Sequence, residues 1–311
     1  RGRFVPQEFD SPAAGLRYKV LTLPTSMTLE TPTGSEDLTS EVMYSVRGVV
    51  PRGTKLKLGL IPVRSEFGTR TANAITKPDD KFWEVSDAEG LRAYAAKQWP
   101  HFPIDKLVSE AELERFAADR GGYFPRPQHP ASAVWKPPPC QVAADGEAVA
   151  DGVAAVLVGD ALHCFPPDIG QGVNSALEDV MVLRDALRDS THRGARPLAR
   201  AALAYDVERM PDTEALVQMV RFAAPFQYSQ APWRGRLWSI CFLSRFLLHK
   251  VLPRVFDLPA FMLVQQSELP YREALARGRR GARRASTLLA LAAVAAVAAA
   301  ARVAVACRVA A

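Results

Sequence analysis

The sequence predicts a mixed α/β fold, and three patterns carry that prediction. Near the N-terminus, short segments alternate apolar and polar residues with the two-residue period of strands. Two longer stretches, 87–119 and 174–220, repeat apolar residues at helical spacing. Between them, an apolar run ends at a Gly-Asp pair that leads through a loop into the second stretch. With 311 residues, 48% of them apolar, the chain is long enough to bury a substantial core.

Three N-terminal segments, 16–23, 41–50 and 55–63, are predicted as strands of one antiparallel sheet. In the last of them, three leucines alternate with lysine and glycine, which gives the strand one buried face. Proline and glycine residues between these segments mark turns.

The segment 87–119 is predicted to be helical and to end at Gly121-Gly122. The proline-rich stretch 125–139 follows. We interpret it as a strand-and-loop excursion within the domain rather than as a linker, because its apolar residues 133–135 require burial.

The run 153–158 is short and continuously apolar, which predicts a buried central strand. Helices are predicted at Asn174–Leu187 and Leu198–Val220, the second interrupted or kinked at Pro211. Residues 222–270, rich in Phe, Leu and Trp, are interpreted as helices that close over a pocket.

Positive charge is concentrated at the C-terminal end of the chain. The formal net charge is +6; residues 272–284 carry +5, and Arg302 with Arg308 add +2, which leaves −1 for residues 1–271. The high isoelectric point is therefore a property of the tail, which argues against a nucleic-acid-binding face on the remainder.

The cysteines are far apart, with no CxxC pair, which predicts a reducing compartment or buried thiols rather than disulfides or structural zinc. They are Cys140, Cys164, Cys241 and Cys307. His163 beside Cys164 has no partner at metal-ligand spacing, so we interpret both as structural and predict no metal site.

The Gly-Asp corner at 159–160 is suited to a polar ligand. Asp160, at the carboxyl end of the predicted strand, can accept hydrogen bonds from polyol hydroxyls. Gly159 lets a ligand approach the backbone closely. For this dipeptide alone, an ordinary helix-capping loop is the favoured explanation, and only the whole pattern that follows favours a ligand site.

The following loop adds backbone donors. Gly170 and Gly172 let the chain turn and place the N–H groups of Val173 and Asn174 at the start of a helix. Such donors, at the positive end of a helix, suit an electron-rich carbonyl or a developing anion.

The whole pattern, GD-x-x-H-x-x-x-P-x-x-G-Q-G-x-N-x-x-x-E-D, resembles the second flavin fingerprint of the class A flavoprotein monooxygenases. Every position is filled, by Gly159, Asp160, His163, Pro167, Gly170, Gln171, Gly172, Asn174, Glu178 and Asp179. Leu162 departs from the alanine usual in the family. The resemblance implies the FAD/NAD(P)-binding monooxygenase fold.

The resemblance also implies roles for individual residues. Asp160 would bind the ribityl chain of FAD, Pro167 would lie near the reactive face of the flavin, and the amides of Val173 and Asn174 would face its pyrimidine edge. The helix dipole would then stabilise the reduced, anionic flavin. The implied cofactor-binding set is Gly159, Asp160, Pro167, Gly170, Gln171, Gly172, Val173 and Asn174.

Other segments are similar to kynurenine 3-monooxygenases in particular. They are residues 18–24, a looser match over 203–215, and Tyr271–Ala274 ahead of a basic segment. The resemblance implies that Tyr271 contacts the substrate from a C-terminal lid; an interfacial tyrosine near a membrane is the alternative. No amide near 218–222 matches the substrate-contacting asparagine of that family.

The implied reaction is FAD- and NADPH-dependent hydroxylation of an aromatic substrate by O₂ through a flavin C4a-hydroperoxide, as from L-kynurenine to 3-hydroxykynurenine. No side chain is expected to act as a catalytic acid, base or nucleophile, because the protein positions reactants and excludes water. The alternatives are a ubiquinone- or salicylate-type hydroxylase or epoxidase, and a non-catalytic membrane-tethered fragment.

The family's GxGxxG unit, its DG motif and its carboxylate-binding arginine are expected upstream of Arg1. Asp145-Gly146 and Asp151-Gly152 stand in the wrong place to supply the DG motif. We therefore expect a truncated fold whose FAD affinity depends on an upstream segment.

The tail is predicted to anchor the chain in a membrane. Residues 285–301 are uncharged and largely apolar, and arginines at 277–284 suit anionic head groups. An alanine-rich soluble helix is the alternative. By family resemblance the mitochondrial outer membrane fits such an anchor, and a related membrane fits as well; the catalytic part is expected in the cytosol.

Four regions are expected. They are a substrate-binding sheet with helices (1–150), the C-terminal part of a FAD-binding domain (151–220), a helical lid (221–271), and a basic segment with an anchor helix (272–311).

Overall fold

The computed structural model describes residues 4–31, 34–49, 56–135, 155–191, 197–223, 225–228, 230–266 and 268–309. The strands are β1 (Pro6–Glu8), β2 (Arg17–Pro24), β3 (Met27–Thr31), β4 (Gly34–Leu38), β5 (Tyr44–Arg47), β6 (Lys57–Leu60), β7 (Thr69–Thr76), β8 (Gly122–Tyr123), β9 (Gln128–Pro130), β10 (Val134–Trp135) and β11 (Ala155–Val156). The helices are α1 (Ala88–Gln98), α2 (Ile104–Leu107), α3 (Glu110–Ala118), α4 (Gly172–Thr191), α5 (Pro197–Val220), α6 (Pro232–Val251), α7 (Ala260–Leu263) and α8 (Tyr271–Val309). The fold is mixed α/β, as predicted.

The main sheet is antiparallel, with strand order β5-β6-β7-β2-β8. This confirms the predicted antiparallel sheet, and Leu56, Leu58 and Leu60 are fully buried on it. Strands β5 and β6 are shorter than predicted. The prediction missed β7, whose inward residues Ala72 and Ala74 are too small to give a strong apolar period.

Helices α1 to α3 cover the sheet and close the largest core. Leu91, Trp99, Phe102 and Phe116 are buried there against the sheet leucines. The segment 87–119 therefore divides into three helices rather than one. Prolines at 100 and 103 separate α1 from α2, since each disfavours helical backbone before it, and α3 begins anew after Ser109, whose hydroxyl accepts from the Glu112 N–H as an N-cap.

Residues 153 and 154 of the predicted central strand lie outside the described residues, and over 155–158 the prediction of a fully buried strand is wrong. This described part contains the two-residue strand β11, half-buried and paired antiparallel with β10. Within the described residues, β10 is its one strand neighbour, which leaves the other edge unpaired and the strand partly open. The predicted excursion over 125–135 is confirmed, since Ala133 and Val134 are buried; residues 136–139 lie outside the described residues.

Helix α5 passes through Pro211 without interruption, contrary to one form of the prediction. Proline removes one intrahelical hydrogen bond and crowds the preceding turn. Buried residues lie on both sides of it, among them Met210, Thr213 and Leu216, and their packing holds the helix together.

Helices occupy 222–270, as predicted, and α6 lines one side of a cavity of about 820 Å³ whose opposite side is formed by β5 and β6. Helix α8 is 39 residues long, and its part Tyr271–Ala300 is long and apolar enough to cross a membrane by length and composition, since an 18-residue window within it has a mean hydropathy of 1.4. Leu289, Leu291, Val294 and Val297 on it are exposed.

Candidate functional site

The fingerprint forms a compact connection between β11 and α4. Short 3-10 turns at Gly159–Ala161 and Pro167–Ile169 join the strand to the helix. Gly159 and Gly170 have φ of 59° and 65°, in the left-handed region that glycine adopts without strain. At Gly170 a Cβ would meet nothing within 4 Å, so backbone conformation rather than crowding requires the glycine.

A buried carboxylate holds the Gly-Asp corner in place. Asp179 Oδ2 accepts the Gly159 N–H at 2.7 Å and lies 2.7 Å from His163 Nε2. Its Oδ1 accepts from Arg209 Nε at 2.5 Å. Burial alone raises the pKa of Asp179, but hydrogen bonds from His163 and Arg209 outweigh burial and hold that pKa below its usual range.

Arg209 joins three parts of the site from the neighbouring helix α5. Its Nη1 donates to Glu178 Oε2 at 2.9 Å, and its Nη2 donates to the carbonyl and hydroxyl oxygens of Ser175 at 2.9 and 2.8 Å. The guanidinium also lies 5.7 Å from the ring centre of Tyr271. Sequence reasoning gave Arg209 no role; the signal was the Glu178-Asp179 pair, whose buried member needs a cation.

Solvent-accessible groups form the outer edge of this connection. Asp160, Pro167, Gly170 and Asn174 are exposed, and Val173 is 75% exposed. Because α4 begins at Gly172, the first N–H groups of the helix have no intrahelical acceptor. The edge therefore presents a carboxylate and a helix N-terminus to a ligand.

Gln171 differs from the other predicted cofactor-binding residues, because its side chain is buried and committed to protein partners. Its Oε1 accepts from the Tyr271 hydroxyl at 3.1 Å and from Asn174 Nδ2 at 3.3 Å. Its Nε2 donates to Gln265 at 3.3 Å. Only the backbone of Gln171 is left for a ligand.

Tyr271, the predicted substrate contact, is 3% exposed at the start of α8. Its hydroxyl reaches the fingerprint loop through Gln171, and the residue does not line the 820 Å³ cavity. Burial raises its pKa. The buried position differs from that of an exposed tyrosine at a membrane surface.

Asp168 is a buried carboxyl that the sequence reasoning missed. Gln227 Nε2 donates to its backbone oxygen at 3.0 Å and to its Oδ1 at 3.2 Å. Its Oδ2 is buried without a hydrogen-bond partner in the described part of the chain. Burial raises the pKa of Asp168 to about 7, although the Gln227 hydrogen bond opposes this shift.

His163 is fully buried and paired with Asp179, which fits its structural interpretation. Cys164 is half-buried, and burial raises the pKa of its thiol. Cys241 is exposed, so of the two expected explanations for unpaired cysteines, burial of the thiol does not apply to it. Cys140 and the side chain of Cys307 lie outside the described residues; within those described, no group of three or more His, Cys, Asp or Glu is placed to hold a metal.

The described residues fit the flavin and ribityl portion of FAD. A left-handed glycine and an exposed carboxylate stand beside a free helix N-terminus, and no side chain fills the space at Gly170. The Asp145-Gly146 and Asp151-Gly152 dipeptides lie outside the described residues.

Residues 148–220 match the model of the FAD binding domain family. The chain is 36% identical over 125 residues to a kynurenine 3-monooxygenase of Salinispora arenicola, and 35% identical over 77 residues to the FAD-dependent monooxygenase ptmM of Penicillium ochrochloron. The first match covers 40% of this chain and 26% of the relative, and the second covers 23% and 18%. The chain therefore spans about a quarter of the length of the kynurenine 3-monooxygenases that it matches.

Among solved structures, the chain is similar to pqsL, a probable FAD-dependent monooxygenase from Pseudomonas aeruginosa. The identity is 20% and the TM-score 0.39, over 75% of this chain and 53% of that one. Residues 148–220 thus resemble a FAD binding domain, and the matched segments resemble FAD-dependent monooxygenases. Within that class, the resemblance to kynurenine 3-monooxygenases is confirmed over the matched segment.

Proposed function

We propose that this chain forms the flavin-facing and substrate-facing part of a FAD- and NADPH-dependent hydroxylase that acts on a small aromatic compound with O₂. The buried frame of Asp179, Arg209 and His163 carries the proposal, because it fixes the Gly159-Asp160 corner with its outer edge open. The particular reaction proposed is hydroxylation of L-kynurenine to 3-hydroxykynurenine, since the Salinispora arenicola relative is a kynurenine 3-monooxygenase.

Each exposed residue of the edge has a proposed task. Asp160 accepts hydrogen bonds from the ribityl hydroxyls, and the N–H groups of Val173 and Asn174 donate to the pyrimidine edge of the flavin. Pro167 lies against the reactive face. Bound FAD supplies the redox chemistry with NADPH and O₂, and the positive end of α4 favours its reduced, anionic form.

The 820 Å³ cavity is the proposed substrate site. Phe226, Trp238 and Phe261 offer aromatic surface to a ring, and the volume is in the usual range for small-molecule sites. Phe226 has a φ of 61°, a strained conformation for a residue with a Cβ, and such strain is frequent at ligand sites. Gln227 lines the same cavity and donates to Asp168, which connects the cavity wall to the flavin loop.

The position of Lys57 in the cavity favours a substrate that carries an acidic group. It lines the cavity with Arg47, and its Nζ lies 5.4 Å from the ring centre of Tyr228. Burial, and then the nearby charge of Arg47, lower the pKa of Lys57. A bound carboxylate would relieve that repulsion. In this proposal Tyr271 affects the substrate indirectly. Its hydroxyl donates a hydrogen bond to Gln171 and thereby holds the fingerprint loop in place.

The proposed division of labour follows the four expected regions. Residues 1–150 form one wall of the substrate site and 151–220 hold the flavin. Residues 221–271 form the second wall and 272–311 tether the protein. The tethering role is favoured by the exposed apolar residues of α8, which no other described residue covers. We place the anchor in the mitochondrial outer membrane, with the flavin site in the cytosol.

A direct test measures product. The chain, alone and fused to the segment that precedes the match in the Salinispora arenicola relative, is reconstituted with FAD and given NADPH, O₂ and L-kynurenine. We expect the fused form to bind flavin stoichiometrically and to form 3-hydroxykynurenine, detected by mass spectrometry. Stoichiometric flavin with no hydroxylated kynurenine but with turnover of salicylate or a ubiquinone precursor would favour the alternative hydroxylases. Absence of flavin from both forms would contradict the monooxygenase proposal and favour a non-catalytic tethered fragment.

A further inference from the structure

Helix α6 carries an exposed apolar stripe that no described residue covers. Trp233, Leu237, Ile240, Leu247 and Val251 are 65%, 55%, 62%, 58% and 74% exposed. Their spacing of four, three, seven and four residues places them on one face of the helix, about 40° to either side of a common line at 100° per residue. A stripe of this length is more than the scattered apolar exposure normal on protein surfaces.

The charged residues of α6 and of the chain up to Phe256 are all cationic. Residues 215–256 contain no aspartate or glutamate. The cations in and just after the helix are Arg234, Arg236, Arg245, Lys250 and Arg254. An apolar face with tryptophan and leucine, set among cations, is the composition of helices that lie at the surface of anionic membranes.

The position of α6 relative to α8 is the second, independent observation. Arg245 Nη2 of α6 donates to the carbonyl of Gly278 in α8 at 2.7 Å. Just beyond α6, the carbonyl of Val255 accepts from Arg284 Nη1 at 2.5 Å. Both contacts lie in the basic segment 277–284, directly before the apolar part of α8. If that apolar part enters a bilayer, its basic segment lies among the head groups, and α6 is held at the same level.

We propose that the outward face of α6 is a second membrane contact, lying in the head-group layer of an anionic lipid surface beside the point where α8 enters it. This rests on the tethering role proposed for α8 and not on the flavin chemistry. The cavity takes one of its walls from α6, with Gly235, Trp238 and Ile240 among its lining residues. The proposal therefore places the cavity next to the lipid surface.

Tryptophan fluorescence tests the contact, because none of the five tryptophans lies in α8. They are Trp83, Trp99, Trp135, Trp233 and Trp238. The full chain is reconstituted in vesicles of phosphatidylcholine with phosphatidylserine, and bromine on the acyl chains near the head groups quenches any tryptophan at that depth. We expect quenching that falls by at least about half in Trp233→Phe, since tryptophan rings favour the interface. Trp83→Phe is the matched control, because Trp83 packs against the core of the main sheet, and this substitution should leave the quenching unchanged.

A second variant weakens the contact between α6 and the lipid while α8 keeps the protein on the vesicles. Leu237→Gln with Leu247→Gln changes two exposed residues, so the fold should be kept, and α8 still anchors the chain. We expect loss of the Trp233 quenching with no loss of co-flotation. Equal quenching in the wild type and Trp233→Phe, or flotation without quenching, would overturn the proposal. So would a self-association, in detergent without lipid, that the double variant abolishes, because the stripe would then be covered by a second copy. Flavin content measured on the same samples reports separately on the proposed function.

Discussion

Asp179 and Arg209 form a buried pair in which Nε of the arginine lies 2.5 Å from Oδ1 of the carboxylate, while the other carboxylate oxygen holds the N–H of Gly159. The pair connects α5 to α4 and, through Gly159, to the corner that presents Asp160. Its charges are almost wholly removed from solvent, with side-chain exposures of 0% and 3%. The geometry of the proposed flavin edge therefore depends on a residue that does not touch it.

Arg209→Gln should destabilise the chain by about 3 kcal/mol, because it leaves the Asp179 carboxylate buried without its cation. Urea unfolding followed by circular dichroism measures the change. Arg184→Gln is the control, since Arg184 pairs with Asp185 at the surface and should leave the unfolding midpoint almost unchanged. Equal effects of the two substitutions would show that the buried pair does not hold the site.

Asp160→Ala should weaken FAD binding by about tenfold, the loss expected for a charge-assisted hydrogen bond, with stability unchanged. Asp160 is exposed, and its electrostatic effect on the pKa of the Cys164 thiol is the interaction with the protein that the structure shows, so the substitution chiefly removes a ligand contact. Flavin fluorescence titration of the fused form measures the affinity. Asp189→Ala, at an exposed position near the end of α4, should leave it unchanged; an unaltered affinity in Asp160→Ala would remove this residue from the proposed site.

Asp168→Asn should stabilise the protein at pH 8 by about 2 to 4 kcal/mol and leave its stability nearly unchanged at pH 4. The folded state raises the pKa of this carboxyl to about 7 from a usual 3.8. Between those values the unfolded chain releases the proton first, so the stability of the wild type falls as pH rises through that range. Asparagine cannot ionise and keeps the acceptor oxygen for Gln227. Thermal melts from pH 4 to pH 8 measure the difference, and a difference independent of pH would contradict the assignment.

Gly170→Ala should cost about 1 kcal/mol and weaken FAD binding, because alanine is strained at a φ of 65°. Gly172→Ala is the matched control, two residues away. Neither position has an atom within 4 Å of the added Cβ, but only Gly170 has a positive φ. Gly172, at the start of α4, should tolerate alanine with little change in stability. If both variants have the same unfolding midpoint, backbone strain is not the reason for Gly170.

The sequence predicted the parts of the fold that depend on local pattern. Alternation of leucines identified β6, and the Gly-Asp corner with its loop identified the start of α4 to within two residues. Strand β7 escaped because alanine and threonine leave almost no apolar period, although it lies in the middle of the sheet. Over 155–158 the predicted burial was wrong because apolar composition does not reveal how many strands will flank a strand.

The candidate site was predictable where it follows one segment and unpredictable where it depends on contacts across the chain. The fingerprint residues from Gly159 to Asn174 lie close together in the structure because they belong to one short segment of the chain. Arg209 and Gln227 reach the same loop from 30 and 59 residues beyond their partners Asp179 and Asp168. Such pairs are set by the packing of α5 and the chain after it, which no local period encodes.

Hydrogen exchange with and without FAD tests the central claim most directly, because it reports which backbone amides a bound flavin covers. The fused form, saturated with FAD, should show slower exchange in peptides that contain Gly159–Asp160 and Gly172–Asn174, and Asp160→Ala should reduce the first effect. Peptides from β3 and β4, outside the proposed site, should be unchanged. Stoichiometric flavin that leaves the exchange of residues 159–174 unaltered would contradict the account.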